Sequence, residues 1–246
     1  MSAGAWACVR AAVAVVIAVA LTVQLVASAG AAVDRGWDLA TTVANFFSLF
    51  SVQANILAML SLGAAAGWTW WARRRGADEP PLIAAALAAV TTYMIWTGIV
   101  YNVVLRSPPV PEGTRVLWSN EVVHVVVPLF LIADLLLAPR LRTVPWTALV
   151  ALPVFPIWWG FYTLFRGPVT VDPRTGAPFW YPYTFFNPNV VPGGLVGGYV
   201  GVGVRFVTIA LVLTAIGAVV IWLSRRRVTT GRSPAPVGPP AGRISG

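Results

Sequence analysis

The chain has 246 residues, of which 58% are apolar and only 10% are charged. This composition excludes an ordinary soluble domain and is typical of an integral membrane protein with one membrane domain. The net charge of +9 comes from basic residues that are all Arg and lie mostly between the apolar stretches and in the tail. It therefore favours contact with anionic lipid and argues against a nucleic-acid partner. The Arg bias, with abundant Ala, Gly and Val, is typical of a GC-rich bacterial genome, so we expect a multi-pass protein of the bacterial plasma membrane.

The contents of cysteine and histidine limit the chemistry further. Cys8 is the only cysteine and His124 the only histidine. A single cysteine excludes an internal disulfide, and this pair alone argues against a zinc or haem site built from protein ligands. We therefore expect no metal and no cofactor.

Six stretches are long and apolar enough to cross about 30 Å of hydrocarbon, which requires about 20 residues. They predict an all-α fold with six transmembrane helices at about 11–29, 44–71, 82–105, 122–138, 146–165 and 198–223, within a single domain 1–228. The first ends in Ala27-Ser28-Ala29, which also resembles a signal-peptide cleavage site, but its length favours a retained helix. Pro153 and Pro156 should kink the fifth helix. Residues 229–246, rich in Pro, Gly, Ser and Thr, predict a disordered cytoplasmic tail.

The distribution of arginine predicts the orientation. Eleven Arg lie in the amino terminus, in the loops around 73–75 and 140–142, and from residue 225 onwards, whereas six lie in the segments on the opposite side. Because cytoplasmic segments carry the excess of basic residues, we expect both termini to be cytoplasmic.

A polar cluster is predicted near the outer face of the membrane. His124 lies within about one turn, ~5 Å, of the outer end of the fourth helix, where an imidazole is costly unless it has a partner or a function. On the second helix Ser48, Ser51 and Asn55 recur at i, i+3 and i+7, which places them on one stripe that descends from the same side.

A hydroxyl and a neutral imidazole in one membrane pocket are suited to nucleophilic chemistry, because serine needs a base to accept its proton. The candidate catalytic residues are therefore Ser48, Ser51 and His124. Residues expected at the outer mouth are candidates for substrate binding: Asn55, Tyr101, Asn102, Asn120, Glu121, Trp180, Tyr181 and Tyr183. Of these, Asn120 and Glu121 precede the histidine by four and three residues and are candidates for orienting it, and Tyr or Asn donors are candidates for an oxyanion site.

The catalytic hypothesis also includes three arginines, and a structural interpretation of the serines and the histidine stands beside it. Arg106, Arg115 and Arg166 lie at the outer boundary, where any of them is a candidate for holding a substrate carboxylate. Conversely, serines in membrane helices commonly bond to the carbonyl four residues earlier, and a histidine near the interface can simply reach headgroups or water.

Four motifs occur together in a fixed order. They are 45–55 (NFFSLFSVQAN), 97–102 (TGIVYN), 120–124 (NEVVH) with the following Pro128, and 180–183 (WYPY). In this order the chain resembles the androgen-induced-protein family and its bacterial relatives over most of residues 10–224. The resemblance implies a six-helix membrane protein, similar in its animal members to threonine hydrolases that cleave fatty acid esters of hydroxy fatty acids. It also implies a nucleophile on the second helix and a histidine base.

The resemblance assigns the base more sharply than the nucleophile. His124 matches the histidine of the Asn-x-x-x-His motif that begins at Asn120, although Pro128 comes one residue earlier than in the animal proteins. Counting from Phe46 and Phe47 gives Ser48 as the nucleophile, whereas the Phe-Thr-Ile-Gln pattern of bacterial members gives Ser51. In either alignment a serine, which keeps the hydroxyl, replaces the threonine.

Three functions remain open from the sequence. The leading hypothesis is an integral membrane hydrolase of lipid-like esters with an outward-facing pocket. The alternative is a non-enzymatic protein that binds or transports a small lipophilic molecule, although Asp134, the only intramembrane charge, lies near the cytoplasmic end and argues against a proton relay. A third possibility is a membrane subunit that docks a partner through the sixth helix, where Gly193, Gly197 and Gly201, like Gly194 and Gly198, keep a four-residue spacing.

Overall fold

The structure, a computed structural model, describes residues 1–72, 75, 79–107, 114–139, 143–189 and 197–230, and of 227–230 the backbone alone. Six helical segments in these ranges are long and apolar enough to cross a membrane: Ala3–Asp34, Phe50–Ala72, Pro81–Leu105, Leu117–Leu137, Ala148–Val169 and Gly198–Arg226. The same ranges contain no strand. The all-α, multi-pass fold is therefore confirmed, while the cytoplasmic placement of both termini stays a prediction.

Helix α1 (Ala3–Asp34) begins well before the predicted start at residue 11 and so contains Arg10. The guanidinium of Arg10 is buried and donates to both carboxylate oxygens of Asp134, at 2.7 and 2.9 Å. The indole Nε1 of Trp6 donates to the same carboxylate at 2.6 Å. Because a buried charge is tolerated when it is paired, α1 can extend through Arg10. Asp134 is likewise buried, so its position near the end of the span does not give it access to water.

The predicted second helix is two helices, α2 (Leu39–Ser48) and α3 (Phe50–Ala72). The side chain of Asp38 caps α2 by accepting the Thr41 N–H at 2.7 Å, and this hydrogen bonding lowers the pKa of Asp38. Between the two helices Leu49 is extended, with φ −67° and ψ 129°. The break leaves the first amide groups of α3 without partners inside the helix.

Two π-helical turns face each other in the next two spans. Helix α4 (Pro81–Val100) continues as the π turn Tyr101–Leu105, and α5 (Leu117–Glu121) continues through the π turn Val122–Val126 into α6 (Val127–Leu137). The fourth span thus begins at 117, earlier than the predicted 122. Pro128 has no N–H to donate to the carbonyl of His124, so the regular α-helical ladder is interrupted here.

The last two spans agree with the prediction in outline. Helix α7 (Ala148–Ala151) is separated from α8 (Val154–Arg166) at Leu152 and Pro153, where the kink is expected. Helix α9 (Gly198–Thr230) starts at the predicted residue and extends past the predicted end at 223. It includes the first two residues of the predicted tail, whereas 231–246, like Gly193 and Gly194, lie outside the described residues.

Two kinds of packing hold the bundle together. Helix α3 packs closely on α1 and α4, with Ala54, Ala58 and Ala65 fully buried. Helix α8 instead packs through large rings, with Phe155 and Trp159 each 5.3 Å from the ring of Phe50. Small residues let helices approach, whereas bulky rings keep them apart. Space therefore remains beside α8, and it is in this region that the candidate site lies.

Candidate functional site

Two cavities meet beside the amino-terminal end of α3. The larger, of about 420 Å³, lies among α3, α4, α8, α9 and the loop after α8, and its lining is mostly aromatic and aliphatic. The smaller, of about 190 Å³, lies among α1, α2 and α5, and its lining includes many polar side chains. We call them the apolar cavity and the polar cavity. The larger is within the size range of small-molecule sites.

Among the described residues, Ser51 and His124 are the two that line both cavities. They come from different spans, Ser51 from the first turn of α3 and His124 from the π turn after α5. The structure thus brings together the histidine and one of the two candidate serines at the boundary between an apolar and a polar compartment.

The ring of His124 is oriented by its own helix. Its Nδ1 lies 2.9 Å from the backbone carbonyl oxygen of Asn120. Because a carbonyl can only accept, Nδ1 carries the hydrogen, and in the neutral ring Nε2 keeps the free lone pair. Asn120 therefore orients His124 as expected, but through its backbone and not through its side chain. The resulting tautomer has the form that a general base requires.

Tyr101 holds the His124 ring on its other side. The two rings stack with centroids 4.1 Å apart and planes 21° apart. The hydroxyl of Tyr101 in turn accepts a hydrogen bond from the side-chain amide of Asn120. The two π turns and the end of α5 thus place Tyr101, His124 and Asn120 in one contact group, in keeping with the frequent occurrence of π-bulges at functional sites.

Ser51 lies at the amino terminus of α3, where the break at Leu49 exposes backbone donors. Its N–H donates to the hydroxyl oxygen of Tyr183 at 3.4 Å, and the Ser51 hydroxyl and the Phe50 N–H also bond to that oxygen. Burial of Tyr183 outweighs these bonds and raises its pKa above the ordinary 10.0. Tyr183 therefore remains a protonated phenol, and it lines the apolar cavity.

Ser48 is in a different environment from Ser51. Its hydroxyl donates to the carbonyl of Ala44 at 2.6 Å and lies 2.8 Å from the hydroxyl of Tyr162. Since its single proton is used on Ala44, Tyr162 must be the donor in the second bond. Ser48 is 1% exposed and lines neither cavity. Its side chain joins α2 to α8, which is the structural interpretation that the sequence left open.

The remaining candidate residues on the helices surround the site and do not line it. Asn55 is buried behind Ser51 and donates to the carbonyl oxygens of Ser51 and Val123, at 2.8 and 3.3 Å. Asn102 donates to the Gly98 carbonyl and accepts from Arg106, at 2.8 and 3.0 Å.

Two of the three candidate carboxylate-binding arginines are engaged elsewhere. The Arg106 guanidinium lies 2.8 Å from a carboxylate oxygen of Glu121, so Glu121 pairs with this arginine and not with the imidazole. Arg166 donates to the side-chain oxygen of Asn45 at 2.7 Å. The third, Arg115, lines the polar cavity.

The loop after α8 contributes one of its three candidates directly. Tyr183 lines the apolar cavity. Trp180 lies under the guanidinium of Arg166, 5.2 Å away. Gly167 packs so closely on the ring of Tyr181 that any larger residue there would clash with it. Trp180 and Tyr181 therefore fix the start of the loop on the end of α8, while Tyr183 reaches the site.

Sequence reasoning missed several residues of the polar cavity. Gln24 of α1 donates to the Thr114 carbonyl at 2.6 Å and accepts from the Val116 N–H at 3.0 Å, which fixes the segment before α5. Trp37 and Arg174 also line this cavity. A glutamine in an apolar span was the one signal that pointed to this side.

Within the described ranges no group of acidic, histidine or cysteine residues is suited to hold a metal. No known protein family, curated protein or solved structure matches the chain.

Proposed function

We propose that the chain is an integral membrane hydrolase of lipid-like esters, with Ser51 as nucleophile and His124 as general base. The observation that carries the proposal is that these two residues line both cavities. An amphiphilic ester places its hydrocarbon chain in the apolar cavity and its polar part in the polar cavity, because each part is then least costly to desolvate. Its ester bond then lies at the boundary, beside the hydroxyl and the imidazole.

The first chemical step forms an acyl-enzyme. The Ser51 hydroxyl turns from Tyr183 towards Nε2 of His124, gives up its proton there and attacks the ester carbonyl carbon. The tetrahedral intermediate collapses, and the alcohol leaves with the proton held by His124. In the second step His124 takes a proton from water, the hydroxide attacks the acyl group, and the fatty acid is released as Ser51 regains its proton.

The start of α3 supplies groups suited to stabilise the negative charge of the intermediate. The amides of the first turn are free of intrahelical partners, and a helix amino terminus favours negative charge. The hydroxyl of Tyr183, within reach of the Ser51 N–H, adds a side-chain donor that stays protonated. Preorganised donors of this kind contribute a large part of the rate enhancement in acyl transfer.

The proposal includes a location and an orientation. We place the chain in the bacterial plasma membrane with both termini cytoplasmic, on the basis of its arginine distribution. The cavities are then at the outer side, where Trp37, Thr114 and Arg174 lie in segments between spans. The four ordered motifs that resemble the androgen-induced-protein family support the same activity, with Ser51 rather than Ser48 in the place of the family threonine.

A fluorophosphonate probe, which labels activated serines, tests the proposal on the purified protein. Wild type and Ser48→Ala should be labelled alike, Ser51→Ala should lose labelling, and His124→Ala should label roughly 10²-fold more slowly or less, since a general base contributes about 10²–10⁴. Ser48→Ala is the matched control, because it removes a neighbouring hydroxyl that lines neither cavity.

Two results would count against the proposal. Labelling that survives in Ser51→Ala but not in Ser48→Ala would move the nucleophile to the other serine. No labelling of any form, together with saturable binding of a lipid analogue, would favour the non-enzymatic function in which the same cavities bind or carry a lipophilic molecule.

A further inference from the structure

The polar cavity carries positive charge that the proposed chemistry does not use. Arg115 and Arg174 both line it, and no acidic side chain does so among the described residues. The guanidinium of Arg115 donates one hydrogen bond to the carbonyl oxygen of Arg106, at 3.3 Å. Arg174 lies over the ring of Trp37 at 5.9 Å. A guanidinium has five N–H donors, so most of the hydrogen-bonding capacity of both residues remains available to a ligand.

Arg106 and Arg166, in contrast, have side-chain partners within the protein. Arg106 is paired with Glu121 at 2.8 Å, and Arg166 with the side chain of Asn45 at 2.7 Å. In the part of the chain that the structure describes, neither Arg115 nor Arg174 forms an ion pair. Two cations that share a cavity without a protein anion are the arrangement expected at a site for an anionic ligand.

We propose that the polar cavity binds the phosphate of an amphiphile, so that the substrate is a fatty acid ester of a short phosphorylated alcohol. This inference rests on the proposed function for the position of the ester bond. With the acyl chain in the apolar cavity and the carbonyl at Ser51 and His124, the part that extends past them into the polar cavity is the alcohol half. Hydrolysis then releases a fatty acid on one side of the boundary and a phosphorylated alcohol on the other.

Charge and size both favour this alcohol over the alternatives. A phosphomonoester carries about −1.5 to −2 charges at neutral pH and accepts bidentate bonds from arginine, which matches two guanidinium groups better than one carboxylate does. The cavity volume of about 190 Å³ equals that of roughly six liquid water molecules. This is room for a glycerophosphate but not for a second long hydrocarbon chain, which the polar lining would in any case disfavour.

Ligand binding to the purified full-length protein in detergent tests the inference without requiring turnover. The probe is a monoalkyl glycerophosphate, whose ether bond is not hydrolysed, and the readout is tryptophan fluorescence, since Trp37 lines the cavity. A monoalkylglycerol of equal chain length measures the contribution of the phosphate, and inorganic phosphate alone tests whether the chain is needed. Arg115→Gln and Arg174→Gln each remove one charge from the cavity. Arg226→Gln is the control, because Arg226 lies far along α9 over Trp222.

We expect the alkyl glycerophosphate to bind at least about tenfold more tightly than the neutral alkylglycerol. Each cavity-arginine variant should lose about tenfold in affinity, as for a hydrogen bond to a charged group. Arg226→Gln should bind like wild type. Equal affinity for the neutral lipid, unchanged binding in both cavity variants, or equal binding of inorganic phosphate would overturn the inference. If the expected binding pattern appears but the corresponding acyl ester is not cleaved, the hydrolase proposal fails while the phosphate site stands.

Discussion

Removal of the Arg10 charge should destabilise the protein more than removal of its main partner. Arg10 lies between two carboxylates, at 2.7 Å from Asp134 and 3.6 Å from Glu79, and the side chains of all three are at most 8% exposed. Arg10→Met leaves both acids without this cation, and breaking a buried pair in this way costs about 3–5 kcal/mol. At roughly 2–4 °C per kcal/mol for a chain of this size, the melting temperature should fall by roughly 6–20 °C.

Asp134→Asn should be milder. The asparagine oxygen can still accept from Trp6, and Arg10 keeps Glu79 as a counter-charge, so the loss is that of charge-assisted hydrogen bonds, about 1–3 kcal/mol. The double variant Arg10→Met/Asp134→Asn should melt above Arg10→Met, because it no longer buries the unpaired aspartate.

Tryptophan fluorescence during heating in one detergent, at one scan rate, measures this order. Arg226→Met, an exposed change, serves as the control for loss of an arginine. A double variant that melts below Arg10→Met would refute the reasoning, because the second substitution would then remove a stabilising group and not an uncompensated charge.

Three further predictions concern the site and its surroundings. Gly98→Ala should destabilise the protein and slow any reaction at His124, because the new Cβ would lie 3.2 Å from the His124 carbonyl oxygen. Gly63→Ala is the control: its new Cβ would have nothing within 4 Å, so in the same melting assay it should be neutral or stabilising by up to about 1 kcal/mol. Burial raises the pKa of Glu79 above its ordinary 4.5. The contribution of Glu79 to stability is therefore fully present below pH 4.5 and is lost as the pH rises through the pKa of the folded state. In melting curves recorded over a pH series, Glu79→Gln should reduce this fall in melting temperature. If Tyr183 donates to the oxyanion, Tyr183→Phe should reduce ester turnover roughly 10²-fold with little change in melting temperature, and unchanged turnover would exclude that role.

The sequence by itself determined the membrane class, the six spans and the position of His124 near one end of the fourth span. The spans can be predicted from local sequence, because each segment that crosses the hydrocarbon needs about 20 apolar residues whatever its neighbours are. For the same reason a lone imidazole in such a span signals a partner or a function. Pro153 marked the break before α8, whereas Pro156 lies inside that helix.

Only the tertiary structure decided how the polar residues are used. The helix breaks at Leu49, between Ser48 and Ser51, although no glycine or proline there predicts a break. The burial of Arg10 depends on Asp134, 124 residues away, and the ring of His124 stacks on Tyr101 of the preceding span. Hydropathy gives the free-energy cost of placing each residue in lipid. Whether hydrogen bonds and ion pairs offset that cost depends on contacts between helices that are distant in the chain.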